Sequence, residues 1–143
     1  RLDMVVNNAG VMGCRDLAAC TADGWLEAVR VNLLGAAFFT AEAFRHMADG
    51  GAIVNIASIH AVATSANVAP YAATKAALLS LTRSTAIEGR ARNIRANAIL
   101  PGAIETPRLR ENRAPRNSAT GIWVHPRTLT PRPCSSPATR RSS

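Results

Sequence analysis

Cysteine is scarce and poorly placed for either a disulfide framework or a metal site: Cys14, Cys20 and Cys134 are odd in number and share no metal-ligand spacing. Such sparing use of thiols fits a reducing compartment. With no leader-like or membrane-length apolar run, the expected location is cytoplasmic, away from any membrane. Histidine is just as sparse. His46, His60 and His125 form neither an H-x-x-x-H nor an H-E-x-x-H array, so no metal centre is expected. Aromatic residues make up 4% of the chain and include one tyrosine, Tyr71. Internal repeats are missing too.

What is present centres on that single phenol. Tyr71 stands four residues before Lys75 in Pro70-Tyr71-Ala72-Ala73-Thr74-Lys75-Ala76-Ala77-Leu78-Leu79, so in a helix the two side chains project from one face a turn apart. A phenol titrates near ~10, too high for proton transfer at neutrality, and a neighbouring ammonium draws it towards the working range. The pair reads as an acid/base device. A surface tyrosine and lysine on an ordinary helix is the competing reading of Y-x-x-x-K alone, and the surrounding sequence must decide.

Ser58, thirteen residues before Tyr71, closes the run Ala52-Ile53-Val54-Asn55-Ile56-Ala57. Its β-branched residues suit a buried parallel strand. The serine hydroxyl would then lie at the strand's carboxyl end, where open α/β sheets gather their active sites.

Asn7-Asn8-Ala9-Gly10 after the strand-like Leu2-Asp3-Met4-Val5-Val6, Val31-Asn32 in a long helix, Ser58 with Tyr71 and Lys75, and Pro101-Gly102 followed by Thr106 together resemble the short-chain dehydrogenase/reductase family. The resemblance covers residues 1 to about 107. It implies a nicotinamide cofactor, NAD or NADP, and a small alcohol or ketone as substrate. It also implies Tyr71 as the proton donor and acceptor, Lys75 beside it and on the nicotinamide ribose, Ser58 on the substrate oxygen, and Asn32 positioning a water in the proton relay. Asn8, Ala9 and Gly10 would lie along the cofactor, and Pro101, Gly102, Ile104 and Thr106 would pack against its nicotinamide end. A homodimer or tetramer formed through the two long helices is the inherited expectation.

The family's glycine-rich T-G-x-x-x-G-x-G turn, where backbone amides and a helix N-terminus hold pyrophosphate, does not occur in this sequence. Arg1 falls on what reads as the fourth strand, so the first three strands, and with them the determinant separating NAD from NADP, are expected to be absent. Two readings stand open: an oxidoreductase interconverting a secondary alcohol and a ketone, and a non-catalytic remnant of one.

The fold expected is α/β, a partial Rossmann-like, doubly wound parallel sheet of three strands and two long helices. Leu2 to Asn7 reads as the first strand. A helix capped by Thr21 follows to about Met47, with an apolar stripe at Trp25, Val29, Leu33, Ala37, Ala41 and Phe44 and Asp49-Gly50-Gly51 ending it. Trp25 and Phe44 read as core. A second helix runs from about Pro70 to Glu88, with Gly89 as its C-terminal stop and Ala72, Ala73, Ala76, Ala77 and Ser80 making one side small. Arg95 to Leu100 is the third strand. Strands alternating with helices imply right-handed crossovers. His60 lies two residues past Ser58, either as a solvated loop histidine or facing substrate.

Composition changes abruptly at Arg108. Residues 108–143 are rich in Arg, Pro, Ser and Thr, and carry eight of the seventeen basic residues against one acid, Glu111, so +7 of the formal +8 resides there. Residues 1–107 are expected to be the C-terminal part of a Rossmann-type catalytic domain, and 108–143 a disordered tail. Nonspecific nucleic-acid binding through this tail ranks below both readings, since counterion release gives affinity without any reading element. A frame change between Thr106 and Trp123 would explain the tail. Read one base out of register from Trp123, permitted codons give GTPEDLDAAALFLASDEA, which resembles the family's next helix.

Overall fold

The computed structural model describes residues 1–13, 15–102 and 104. Thr106, Cys14 and the segment 108–143, with the expected disorder and frame change, lie outside the described residues.

Three parallel strands in the order β1-β2-β3 form one sheet: β1 Leu2–Asn7, β2 Met47–Ile56 and β3 Arg95–Ile99. Val5 pairs with Ile53 and Asn7 with Asn55, while Ile53 pairs with Ala96 and Ile56 with Ile99. The strands thus end level, at Asn7, Ile56 and Ile99. Between β1 and β2 run α1, Ala22–Val29, a π-helical turn, Arg30–Leu34, and α2, Gly35–His46; between β2 and β3 runs α3, Ala69–Glu88. The expected three strands and two long helical stretches are therefore present, the first stretch interrupted by its π turn.

The Thr21 cap forms as expected, its hydroxyl accepting from the Gly24 amide at 3.2 Å. The expected apolar stripe is not the buried one. Ala28, Asn32, Ala36, Thr40 and Ala43 are buried, whereas Ala41 is exposed and Trp25, Val29, Leu33, Ala37 and Phe44 are half-buried. Small residues occupy the line of closest approach and larger ones flank it, because the helix backbone must come near both the sheet and α3. On α3 the small side is also mostly outward: Ala73, Ala76 and Ser80 are exposed, and Ala72 alone of the expected set is buried.

The first long helix stops at His46, within a residue of the expected end near Met47, which is already extended, while Asp49-Gly50-Gly51 falls inside β2 rather than in the break between the elements. Arg92 secures that end. Its guanidinium donates to the Phe44 and Met47 carbonyls and to Asp49 Oδ1, satisfying acceptors that a helix end leaves unpaired. Gly89 does follow α3, but in a right-handed conformation with φ −70°, and a short 3-10 turn carries the chain on to Asn93, whose φ of 52° makes the left-handed stop. Gly89 is small for another reason: a Cβ there would lie 2.5 Å from the Ile94 carbonyl oxygen.

Two apolar clusters hold the layers together. Ala43, Met47, Ile53 and Ile94 form one, with Leu2, Val5, Phe44 and Ala96 against it; Ala36, Ala57 and Leu78 form the other. Between them runs a polar ladder. Asn7 Nδ2 donates to Asn55 Oδ1 at 2.8 Å and to Thr40 Oγ1 at 3.3 Å, and Asn55 Nδ2 donates to Thr82 Oγ1 at 2.8 Å. Asn55 is fully buried, and these bonds satisfy it. Along the sheet's other face Met4, Val6 and Ile99 are exposed, so among the described residues helices cover one face only.

Candidate functional site

The level strand ends place three loops side by side. Asn8, Ala9 and Gly10 leave β1 as an exposed run. Ser58 follows β2 closely and is buried. Pro101 is drawn alongside, because the Ala57 amide donates to the Ile99 carbonyl at 2.8 Å and the Ile59 amide to the Pro101 carbonyl at 3.0 Å. Gly102 and Ile104 beyond it are exposed.

Pro70 lies in the first turn of α3, where a missing amide hydrogen costs nothing. One turn of helix then sets Tyr71 and Lys75 on a common face, with Lys75 Nζ 5.7 Å from the centroid of the tyrosine ring. Lys75 is 4% exposed, and its ammonium donates to the Ile56 carbonyl at 2.6 Å, at the last residue of β2. Burial lowers its pKa from the ordinary 10.5, since desolvation disfavours the charged form. The bond to Ile56 works the other way.

Asn32 sits on the π-helical turn, a helix irregularity common at functional sites. Its Oδ1 accepts from the Val11 amide at 2.7 Å, while Nδ2 donates to the Val11 carbonyl and to Thr74 Oγ1, both at 3.0 Å. Thr74 in turn donates to the Tyr71 carbonyl at 2.8 Å. One carboxamide therefore fixes the loop after β1 and the first turns of α3 together. Both its N–H groups are used, and one Oδ1 lone pair remains. Gly10 lies where these parts meet: a Cβ there would be 3.4 Å from Asn32 Oδ1 and 3.4 Å from Lys75 Nζ.

Ser58 caps the short 3-10 turn Ile59–Ala61, its Oγ accepting from the His60 amide at 3.2 Å. The His60 ring stands edge-on to Tyr71, with centroids 6.0 Å apart and planes at 74°. Asn32 is linked to Tyr71 through Thr74, Lys75 Nζ lies near the Tyr71 ring, Gly10 sits beside Asn32 and Lys75, and Ser58 is tied to this group through His60. Asn8, Ala9, Pro101, Gly102 and Ile104 lie at the same end of the sheet. Thr74 is the member that sequence reasoning missed. A threonine directly before the lysine was its one visible signal.

Among the described residues there is no cluster of three or more His, Cys, Asp or Glu side chains able to hold a metal, and no helix long and apolar enough to cross a membrane. For a dinucleotide the fit is better. The bare Gly10, the exposed turn around it and a buried ammonium with N–H groups to spare suit a ribose and nicotinamide end lying over the strand termini.

Comparison with known proteins gives the family. Residues 1–132 match a family model described as enoyl-(acyl carrier protein) reductase. The short-chain dehydrogenase/reductase ABA4 of Pyricularia oryzae is 42% identical over 116 residues, which are 78% of this chain and 43% of that protein. The 3-oxoacyl-[acyl-carrier-protein] reductase FabG of Chlamydia pneumoniae is 41% identical over 108 residues, covering 74% and 44%. Among solved structures, ElxO with NADP bound superposes with a TM-score of 0.72 at 34% identity, over 78% of this chain and 46% of that one. 4-Hydroxyisoleucine dehydrogenase complexed with NADH gives a TM-score of 0.70 at 32% identity, over 76% and 49%. The chain spans less than half the length of these curated relatives. On the family model, these relatives and the shared fold, the chain belongs to the short-chain dehydrogenase/reductase family of oxidoreductases.

Proposed function

We propose that this chain carries the catalytic half of an NAD(P)-dependent oxidoreductase that interconverts a secondary alcohol and a ketone, with residues 1–107 as the C-terminal part of its catalytic domain. The observation that carries the reading is the convergence of Gly10, Asn32 and Lys75 beside Tyr71 at the carboxyl edge of the sheet. A nicotinamide cofactor, when bound, supplies or accepts the hydride.

The residues divide the remaining work. In the reducing direction Tyr71 gives the proton to the substrate oxygen and in the oxidising direction takes it back. Ser58 Oγ already accepts from the His60 amide, so its own O–H is free to donate to that same oxygen and hold it towards Tyr71. Lys75 spends one N–H on the Ile56 carbonyl, leaving two for the ribose and for the phenol's side of the site. The spare Oδ1 lone pair of Asn32 and the ammonium of Lys75 both border the space that Gly10 leaves open, which suits a water relaying protons outward. Asn8, Ala9, Gly10, Pro101, Gly102 and Ile104 line the cofactor. The exposed Phe38 and Phe39, each 66% accessible, with the small outer side of α3, support assembly as a homo-oligomer.

The product of the complete gene tests the reading. Assayed with NADH or NADPH and a panel of ketones, it should show reductase activity. Tyr71→Phe should lower turnover about 10²- to 10⁴-fold with little change in cofactor affinity, and Lys75→Ala should weaken both. A Tyr71→Phe enzyme with near-full activity would overturn the assignment.

A further inference from the structure

We infer that His60 is a specificity-determining residue of this site, donating a hydrogen bond from Nε2 to a second oxygen acceptor carried by the substrate close to its reacting carbonyl. The inference rests on the alcohol–ketone reading above. His60 Nδ1 is buried and has no hydrogen-bond partner among the described residues. A proton on Nδ1 would bury an unpaired N–H, the rarer and costlier kind of orphan. The proton therefore belongs on Nε2, and the buried nitrogen keeps its lone pair. Nε2 is not among the buried unpaired atoms and makes no side-chain bond among the described residues, so on this half-buried residue it is the end that meets solvent.

The ring lies beside the proposed catalytic groups. The His60 amide is bonded to Ser58 Oγ at 3.2 Å, and the ring stands 6.0 Å from the Tyr71 ring. An N–H on a ring next to the two groups that hold the reacting oxygen can reach a neighbouring oxygen of the same molecule. Esters, thioesters and carboxylates whose acyl carbon lies two bonds from the ketone carbon, which puts the acceptor oxygen three bonds away, fit it; plain ketones leave the donor without that partner and are discriminated against.

Two probes of equal chain length separate these classes: ethyl acetoacetate, and 2-heptanone, which lacks the ester oxygens. With the complete gene product, kcat/KM should favour the ester by at least about tenfold. His60→Leu should bring the ratio to parity by harming the ester alone, and His60→Gln, which keeps a donor, should retain part of the preference. A ratio unchanged in His60→Leu, or equal losses on both probes, would overturn the inference. Nitrogen-15 NMR of labelled histidine gives an answer that needs no turnover. The signal lost in His60→Gln should report a protonated Nε2 that shifts on adding ethyl acetoacetate, but not 2-heptanone, with oxidised nicotinamide nucleotide present. A protonated Nδ1, or equal shifts with both probes, refutes the role of His60. Failure of the protein to reduce any ketone, with the NMR result as expected, would sink the alcohol–ketone reading and leave the His60 donor standing.

Discussion

Asn32 and Thr74 lie 42 residues apart in sequence and share a hydrogen bond of 3.0 Å inside the helical layer. Through it the π-helical turn of the first long helix is fastened to the turn of α3 that presents Tyr71 and Lys75. The same carboxamide holds both backbone groups of Val11. Loop, π turn and α3 are thus positioned by one side chain.

Asn32→Ala should therefore act at a distance. It unpairs the Val11 amide and carbonyl, and unfolding by urea should show a loss of about 1–3 kcal/mol, the usual cost of leaving buried polar groups unsatisfied. Hydrogen exchange at the Val11 amide should accelerate more than the global loss accounts for. Exchange at Val11 unchanged from the wild type would mean that other contacts hold the loop.

Asn55 should be the least replaceable residue of β2. Asn55→Ala removes one bond each from the Asn7 amide group, which keeps Thr40, and from the Thr82 hydroxyl, which still donates to the Leu78 carbonyl, and it should cost about 1–3 kcal/mol. Asn55→Ala combined with Thr82→Val should cost less than the sum of the two single changes, because both remove one shared bond. Strict additivity in a double-mutant cycle would disprove the coupling.

Gly89→Ala tests a steric claim. The right-handed φ of Gly89 would accept alanine, and alanine favours helices by about 1 kcal/mol, yet the added methyl meets the Ile94 carbonyl oxygen at 2.5 Å. Backbone cannot give way as a flexible side chain can, so a net loss of about 1–3 kcal/mol is expected. A raised melting temperature would show that the turn relaxes freely.

Lys75 predicts a pH dependence of definite sign. Its folded pKa lies below the 10.5 of the unfolded chain because burial desolvates the ammonium. Between those two values the unfolded state binds more protons, so this residue makes stability rise with pH up to about 10.5. Lys75→Met should remove that rise. The difference between wild-type and variant urea midpoints, followed from pH 8 to pH 10.5, is the measurement; a constant difference would contradict the burial effect.

The sequence is informative wherever a short-range pattern has a local physical cause. Thr21 caps a helix because its own side chain reaches an amide three residues on, and the strand ending at Asn7 follows from a β-branched run bounded by a turn. The spacing of Tyr71 and Lys75 brings them together by helix geometry alone. Where packing between elements decides, local pattern fails. The apolar stripe beginning at Trp25 follows a three-to-four-residue period, whereas the buried line of Ala28, Asn32, Ala36, Thr40 and Ala43 is set by how closely a helix backbone must approach two neighbours. The helix end at His46 is secured by Arg92, 46 residues further on, and Gly89 is held small by Ile94 rather than by its own backbone angles.

The chain's own residue order therefore determined the three strands, the two long helical stretches and the placing of Tyr71 and Lys75 on one helix face, because each depends on neighbours within a turn or two. Only the tertiary structure decided that Asn32 spends its amide on Val11 and Thr74, that Gly10 opens a space bordered by Asn32 and Lys75, and that His60 turns one nitrogen inward beside Tyr71. Those are relationships between segments eleven to sixty-five residues apart. Their energies come from the close packing and hydrogen-bond pairing of whole layers, which no window of sequence contains.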